Sequence, residues 1–238
     1  MTVGKSSKEI RDSILTKYYD EIYQAYLFQN DIQGFGIRYF EKQVEKFWKN
    51  KIPKNVLEIG GGSGEHLQYI TYIPKESYKS LDLRLSTLSK YINQMPNDFK
   101  SKFEFITGDA QELTFKNETF DRVYSTCLLH HVDDVLSVLL EARRVTESGG
   151  EIAFIFPTDP GILNQLAKKI ISFPKIRKMT NTRPELFYAI DHRNHVLSIT
   201  ELIKFVFSAD ELKFHYRPFR FRSWNLNLLI VAHIVKKS

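Results

Sequence analysis

Val56-Leu57-Glu58-Ile59-Gly60-Gly61-Gly62-Ser63-Gly64-Glu65-His66 is the stretch that decides the fold. A short apolar run ends in an acidic residue, passes through glycines at alternate positions and enters a helix-compatible segment. Such a strand–turn–helix passage is what a nucleotide-type ligand requires. Gly60, Gly62 and Gly64 can adopt positive φ and let backbone approach a ligand, and the following helix offers unpaired N–H groups. The spacing is E-x-G-x-G-x-G, however, not the G-x-G-x-x-G that seats a pyrophosphate. A carboxylate at Glu58 suits a cationic amino group better than a phosphate.

Outward from this motif the chain alternates between strand-like and helix-like runs, the pattern of crossover units and a mainly parallel sheet. Strands are predicted at about 55–60, 78–83, 103–107, 120–126 and 150–156, with helices at about 64–72, 86–95 and 133–146. Prolines and basic residues interrupt the alternation over 158–198. A helix near 199–207 and strand-like runs near 212–219 and 226–236 complete the chain. Two consecutive strands predict a closing hairpin. Upstream, residues 6–50 have helical spacing, broken at Gly34-Phe35-Gly36. The organisation expected is a helical extension over 1–52 and an α/β domain over 53–238, with 158–198 inserted before the last two strands.

Two more acids stand at predicted strand tips. Asp82 ends the second strand, 24 residues after Glu58, where a carboxylate can accept both hydroxyls of a ribose. The lesser alternative is that it caps the helix from Ser86. Leu83 beside it offers a flat apolar contact. Gly108-Asp109-Ala110 ends the third strand. Three acids on successive tips at the carboxyl edge of a parallel sheet define one crevice.

The E-x-G-x-G-x-G turn, Asp82, Gly108-Asp109-Ala110, Phe120-Asp121-Arg122-Val123-Tyr124-Ser125-Thr126-Cys127-Leu128-Leu129-His130-His131-Val132 and Glu141-Ala142-Arg143-Arg144-Val145 with Gly149-Gly150 together resemble the class I S-adenosylmethionine-dependent methyltransferases, in their type 11, ubiquinone-biosynthesis-like branch. The likeness covers about residues 53–157 well and the last strands loosely. It implies a Rossmann-like seven-stranded sheet with the last strand antiparallel, and S-adenosyl-L-methionine as cofactor. It further implies that Asp109 accepts from the adenine amino group while the Ala110 N–H serves the ring. The loop after the fourth strand, through backbone of Ser125, Thr126 and Cys127, would then touch the methionine portion. An N-terminal helix with Tyr18, Tyr19, Tyr23 and Tyr26 could close over that end, or simply pack on the domain.

A hydroxyl acceptor must lose a proton, and histidine is the default base. The insert offers Asp191-His192-Arg193-Asn194-His195, from which His192 or His195 is the expected base and Arg193 the expected holder of an anionic acceptor. His130 is a further candidate, whereas His131 reads as a capping or packing residue. Each of these also fits a polar loop leading into the next helix. No metal site is expected, because no acidic pair accompanies the histidines at helix spacing.

The net charge of +6 is uneven: residues 1–160 hold 20 Lys+Arg against 23 Asp+Glu, and residues 161–238 hold 14 against 5. A basic final third fits an anionic acceptor or surface, or a solvated face. The single Cys127 excludes an intrachain disulfide and favours a cytoplasmic setting. No apolar run approaches a membrane span, although Ile162, Leu163, Leu166, Ile170, Ile171 and Phe173 could line an apolar pocket or touch a membrane peripherally. Nothing marks a nucleic-acid partner. The segments Pro157–Gly161 and Asp191–His195 are similar to those of bacterial surface-polysaccharide sugar methyltransferases, which implies a small, anionic, sugar-containing acceptor. The alternatives are a quinone, polyketide or lipid-like ring, or a catalytically silent subunit that binds the cofactor.

Overall fold

The computed structural model describes residues 6–18, 32–48, 51–84, 90–180 and 183–238. Tyr19, Tyr23 and Tyr26 lie outside these. A seven-stranded sheet organises the rest: β1 (Asn55–Ile59), β2 (Ser77–Asp82), β3 (Phe103–Thr107), β4 (Phe120–Thr126), β5 (Thr146–Pro157), β6 (Glu211–Arg217) and β7 (Leu229–Val235). Their order is β3-β2-β1-β4-β5-β7-β6. Strands β1 to β5 pair in parallel, and β7 runs antiparallel to both β5 and β6. The closing hairpin thus inserts its second strand between the first and β5.

Strand periodicity of two divides the core into two layers. Leu57, Ile59, Val123, Ile152, Phe154 and Ile234 face helices Val135–Val145 and Val196–Val206. Val56, Tyr78, Tyr124, Ala153, Ile155 and Val231 face Val44, Trp48, Leu67 and Phe99 on the other side. The apolar spacing Val135, Val138, Leu139, Ala142, Val145 buries one helix face, and the Asp134 carboxylate caps that helix by accepting from the Ser137 N–H at 3.2 Å.

Three local expectations change. Gly34–Gly36 does not break a helix, because Ile32–Glu45 runs through it. The helix expected over 64–72 is a 3₁₀ turn, Glu65–Tyr69, entered through Gly64 with no side-chain cap. The insert is helical almost throughout. Ile162–Ala167, a π segment Lys168–Ser172, Phe173–Thr180 and Pro184–Asp191 follow one another. Pro184 opens the last of these helices, where no N–H is required, and Pro174 is the second residue of the helix that directly follows the π segment. Helix Ser7–Lys17 packs on this insert through Leu15 and Tyr18, which join Ile176 and Phe187 in a small separate core.

Candidate functional site

The carboxyl tips of β1, β2 and β3 and the loop after β4 enclose a crevice of about 130 Å³. Gly60, Asp82, Leu83, Asp109 and Ala110 are among its walls, as are Gln111, Leu128, His131, Asp133, Arg193 and Arg11. A larger recess of about 350 Å³ lies at the other edge of the sheet, between Lys51, Asp121, Arg122 and Glu151. Its groups are committed to the fold, since Asp121 accepts from the Lys54 and Asn55 N–H groups at 2.8 and 2.7 Å.

Within the crevice, Asp82 is a clamp. Its Oδ2 accepts from the Gly62 N–H at 3.0 Å and its Oδ1 from the Arg84 N–H at 3.0 Å. This fixes the glycine turn to the tip of β2 and leaves carboxylate lone pairs for a ligand. Gly60, Gly62 and Gly64 have φ of +75°, +54° and +79°, conformations that other residues adopt at a cost. The tightest position is Gly61, where a Cβ would stand 1.9 Å from Ser80 Oγ. Asp109 Oδ1 accepts from the Gln111 N–H at 2.8 Å, and Leu83 is exposed. Thr126 ends β4 and precedes Cys127, whose φ of +56° is rare for a side-chain-bearing residue. Burial pushes the Cys127 thiol up to about 12.

Glu58 lies behind the glycine turn and is not a crevice wall. Tyr78 and Ser80 hold it there, both hydroxyls donating to its Oε2 at 2.9 and 3.0 Å. Its Oε1 is buried without a protein partner. Burial pushes the carboxyl up to about 7, against the nearby His66 charge and the Tyr78 hydrogen bond. Both His66 ring nitrogens meet carboxylates, Glu41 at 2.8 Å and Glu45 at 3.0 Å. Burial opposes its charge, yet these two partners push its pKa up to about 10. No chain spacing shows this pair of acids reaching across from helix Ile32–Glu45.

The second constellation lies where the insert meets the loop after β4. His130, His131 and His192 bring ring nitrogens within 4.8 Å of one another. Among the described residues this trio is where imidazoles could converge on a cation, a grouping that spacing along the chain does not reveal. His192 Nδ1 is 3.6 Å from Asp159 Oδ2, within ion-pair range but longer than a hydrogen bond. Asp159 is also bound by the Lys168 ammonium and by Gln165 Nε2 at 2.6 Å. Despite its burial, His192 and Lys168 hold its carboxyl well below the usual range. Burial brings His192 down to about 4, against the Asp159 carboxylate, and brings His130 well below its ordinary value. His131 Nδ1 stands 2.8 Å from Asp191 Oδ2 without hydrogen-bond alignment.

Of the expected bases, His192 and His130 therefore join the cluster and His195 does not. His195 is exposed at the N-cap of helix Val196–Val206. His131, read from sequence as packing, joins the cluster and is the histidine that reaches the crevice. Arg193 pairs with Asp133 and donates to the His131 carbonyl at 2.8 Å. Asp159 stood out only as part of the Pro157–Gly161 segment, with no role assigned to it, and Lys168 carried no sequence signal beyond lying in the insert.

The sheet order, the antiparallel seventh strand and the strand-tip crevice define the class I methyltransferase fold. Residues 57–154 match the family Methyltransf_11, described as "Methyltransferase domain". The chain is 27% identical over 164 residues to the Ubiquinone/menaquinone biosynthesis C-methyltransferase UbiE of Hahella chejuensis, covering 63% of each. It is 30% identical over 152 residues to the Demethylmenaquinone methyltransferase of Bacillus licheniformis, covering 60% of this chain and 62% of that protein. The matches thus span a little under two thirds of these curated relatives. Among solved structures, the N-methyltransferase NodS from Bradyrhizobium japonicum, in complex with S-adenosyl-l-homocysteine, aligns with a TM-score of 0.62. That alignment has 12% identity and covers 96% of this chain and 99% of that one.

Proposed function

We propose that this chain is an S-adenosyl-L-methionine-dependent methyltransferase acting on a small-molecule acceptor with an ionisable hydroxyl. One observation carries the reading: His131 and Arg193 belong at once to the strand-tip crevice and to the segments that bear the histidine cluster. The donor set fits the cofactor. Glu58 Oε1, buried and unpartnered, is offered to a cationic amino group. Asp82 keeps lone pairs for ribose hydroxyls, Asp109 for the adenine amino group, and Leu83 an apolar face. The cofactor supplies a methyl group already activated on a sulfonium. The chain's task is to place acceptor and methyl in line, an effect whose intramolecular analogues reach about 10⁵–10⁸ M.

His192 accepts the acceptor's hydroxyl proton at Nε2 while Asp159 faces Nδ1 and stabilises the imidazolium. His130 and His131 flank it and complete the polar wall. Helix Ser7–Lys17, tied to the crevice by the 3.2 Å contact of Arg11 with Asp133, serves as its lid. The insert forms the acceptor side.

For the acceptor, a ring of the quinol type takes precedence over a sugar. Both relatives cited above are named for ubiquinone or menaquinone biosynthesis, or for demethylmenaquinone itself, and the sugar expectation draws no support from them. The test follows S-adenosylhomocysteine release with reduced quinones and with nucleotide sugars, alongside calorimetric binding of S-adenosylmethionine. Turnover on quinols, lost in His192→Gln with cofactor affinity retained, is expected. Turnover on sugars alone would overturn the ring reading, and cofactor binding without any turnover would overturn the catalytic one.

A further inference from the structure

Six of the twelve large hydrophobic side chains found exposed among the described residues fall in two segments. Ile162, Leu166 and Ile170, exposed by 65, 51 and 65%, lie at i, i+4 and i+8 along the first turns of the insert. The exposed face continues through Lys169, Pro174, Arg177 and Lys178. Phe219, Phe221 and Leu226 belong to the loop joining β6 to β7. That loop alternates basic and aromatic residues as Phe219-Arg220-Phe221-Arg222, all exposed.

The two segments are neighbours. Asn225 accepts from the Leu163 N–H through its carbonyl at 2.9 Å, and Asn164 Nδ2 reaches the Leu228 carbonyl at 3.4 Å. Neither carries a negative charge: no Asp or Glu occurs between Asp159 and Glu185, or after Glu211. An exposed apolar ridge flanked by Lys169, Lys178, Arg220 and Arg222, with an anion only at its far end where Glu185 pairs with Arg177, is not a face that water favours. Nor does it fit a protein partner held by mixed charges. It combines the two attractions that hold a peripheral protein to an anionic bilayer, apolar insertion and basic headgroup contact.

We propose that Ile162, Leu166, Ile170, Phe219 and Phe221, with Arg220 and Arg222, form a docking surface for an anionic lipid bilayer. No helix among the described residues is long and apolar enough to cross one, so the contact is interfacial. Docking brings the start of the insert to headgroup level, and the Ile162 helix starts three residues after Asp159, the carboxylate facing His192. The surface stands independently of the methyl-transfer reading, though it would give a lipid-like acceptor a route to the site.

The experiment is vesicle co-sedimentation of the full chain, at about 0.1 M salt where surface charge is only partly screened. Vesicles of phosphatidylcholine alone are compared with vesicles containing about one third phosphatidylglycerol, an anionic surface of the kind that attracts basic residues. Sedimentation with the anionic vesicles only is expected. Arg220→Gln should weaken it about fivefold, and Arg220→Gln with Arg222→Gln about 25-fold. Phe219→Ser with Phe221→Ser should weaken it by at least about tenfold, whereas Leu140→Ser, a control on another exposed face, should leave it unchanged. Circular dichroism confirms that each variant folds. Equal sedimentation with both vesicle types, none with either, or equal loss in the Leu140 control would overturn the proposal. So would a dimer in light scattering that Phe219→Ser dissolves, which would make the face a contact between two copies.

Discussion

The substitution Glu58→Gln should stabilise the protein at alkaline pH while weakening its hold on the cofactor. Glu58 is 1% exposed, and burial has moved its carboxyl from 4.5 to about 7. Between those values the folded protein binds a proton that the unfolded chain has released, so stability falls as pH rises through this window. At about 1.4 kcal/mol per unit, the loss above pH 7 is about 3 kcal/mol, as an upper figure. A glutamine side chain at this position cannot ionise. Its oxygen can still accept from Tyr78 and Ser80, and its amide fills the position of the unpartnered Oε1. In a chain of 238 residues the gain amounts to about 6–12 °C in Tm at pH 8, shrinking towards zero at pH 4.5. Thermal unfolding at the two pH values measures it, with calorimetry of S-adenosylmethionine binding in parallel. A variant less stable than the parent at pH 8, or shifted equally at both pH values, would refute the account of burial. Unchanged cofactor affinity would refute the pairing of Oε1 with the amino group.

Asp82→Ala removes the acceptor of the Gly62 and Arg84 N–H groups as well as the ribose contact, and cofactor affinity by calorimetry should fall at least about tenfold. Gly61→Ala forces a Cβ against Ser80 Oγ; urea unfolding should show a loss of about 1–3 kcal/mol, part of which Ser80→Gly restores. His192, brought down to about 4 by burial, is already unprotonated at neutral pH. At saturating S-adenosylmethionine, where protonation of Glu58 near pH 7 does not limit cofactor binding, the wild-type rate should therefore stay level from pH 8 to about 5, and a steep decline centred near 6.5 would point to a different base.

The sheet was legible because its strands are apolar runs punctuated by Gly, Asp and Pro. The bounds expected for 103–107 and 120–126 match β3 and β4 residue for residue. The crevice acids were legible for the same reason, since a strand tip is a position along the chain. Glu58 exposes the limit of that logic. Being next to a glycine turn does not say which way a side chain leans, and Tyr78 and Ser80, on the neighbouring strand, draw it inward. The histidine cluster was half legible. His130 and His192 stood out by type, but what unites them with His131 and Asp159 is the docking of a helical insert onto a loop some sixty residues upstream. Gly34–Gly36 misled in the opposite direction, since two glycines cost a helix only about 1 kcal/mol each, and the strength of the surrounding helix outweighs that.

The junction between insert and β4 loop has a consequence for how such a protein can be diversified. The Arg193 and Asn194 N–H groups both point to the His130 carbonyl, and Asn194 Nδ2 donates to the Leu129 and Val132 carbonyls at 3.0 and 2.7 Å. These acceptors are main chain, and beside them the Arg193 guanidinium donates to the His131 carbonyl and pairs with the Asp133 carboxylate, so the side chains the seam demands are Asn194, Arg193 and Asp133. Outside Asp133 and the two histidines the loop can therefore change its side chains and still present the same socket, and an insert from elsewhere needs an arginine followed by an asparagine in register to plug into it. New acceptor pockets can be grafted at this seam without redesigning the half that grips the cofactor.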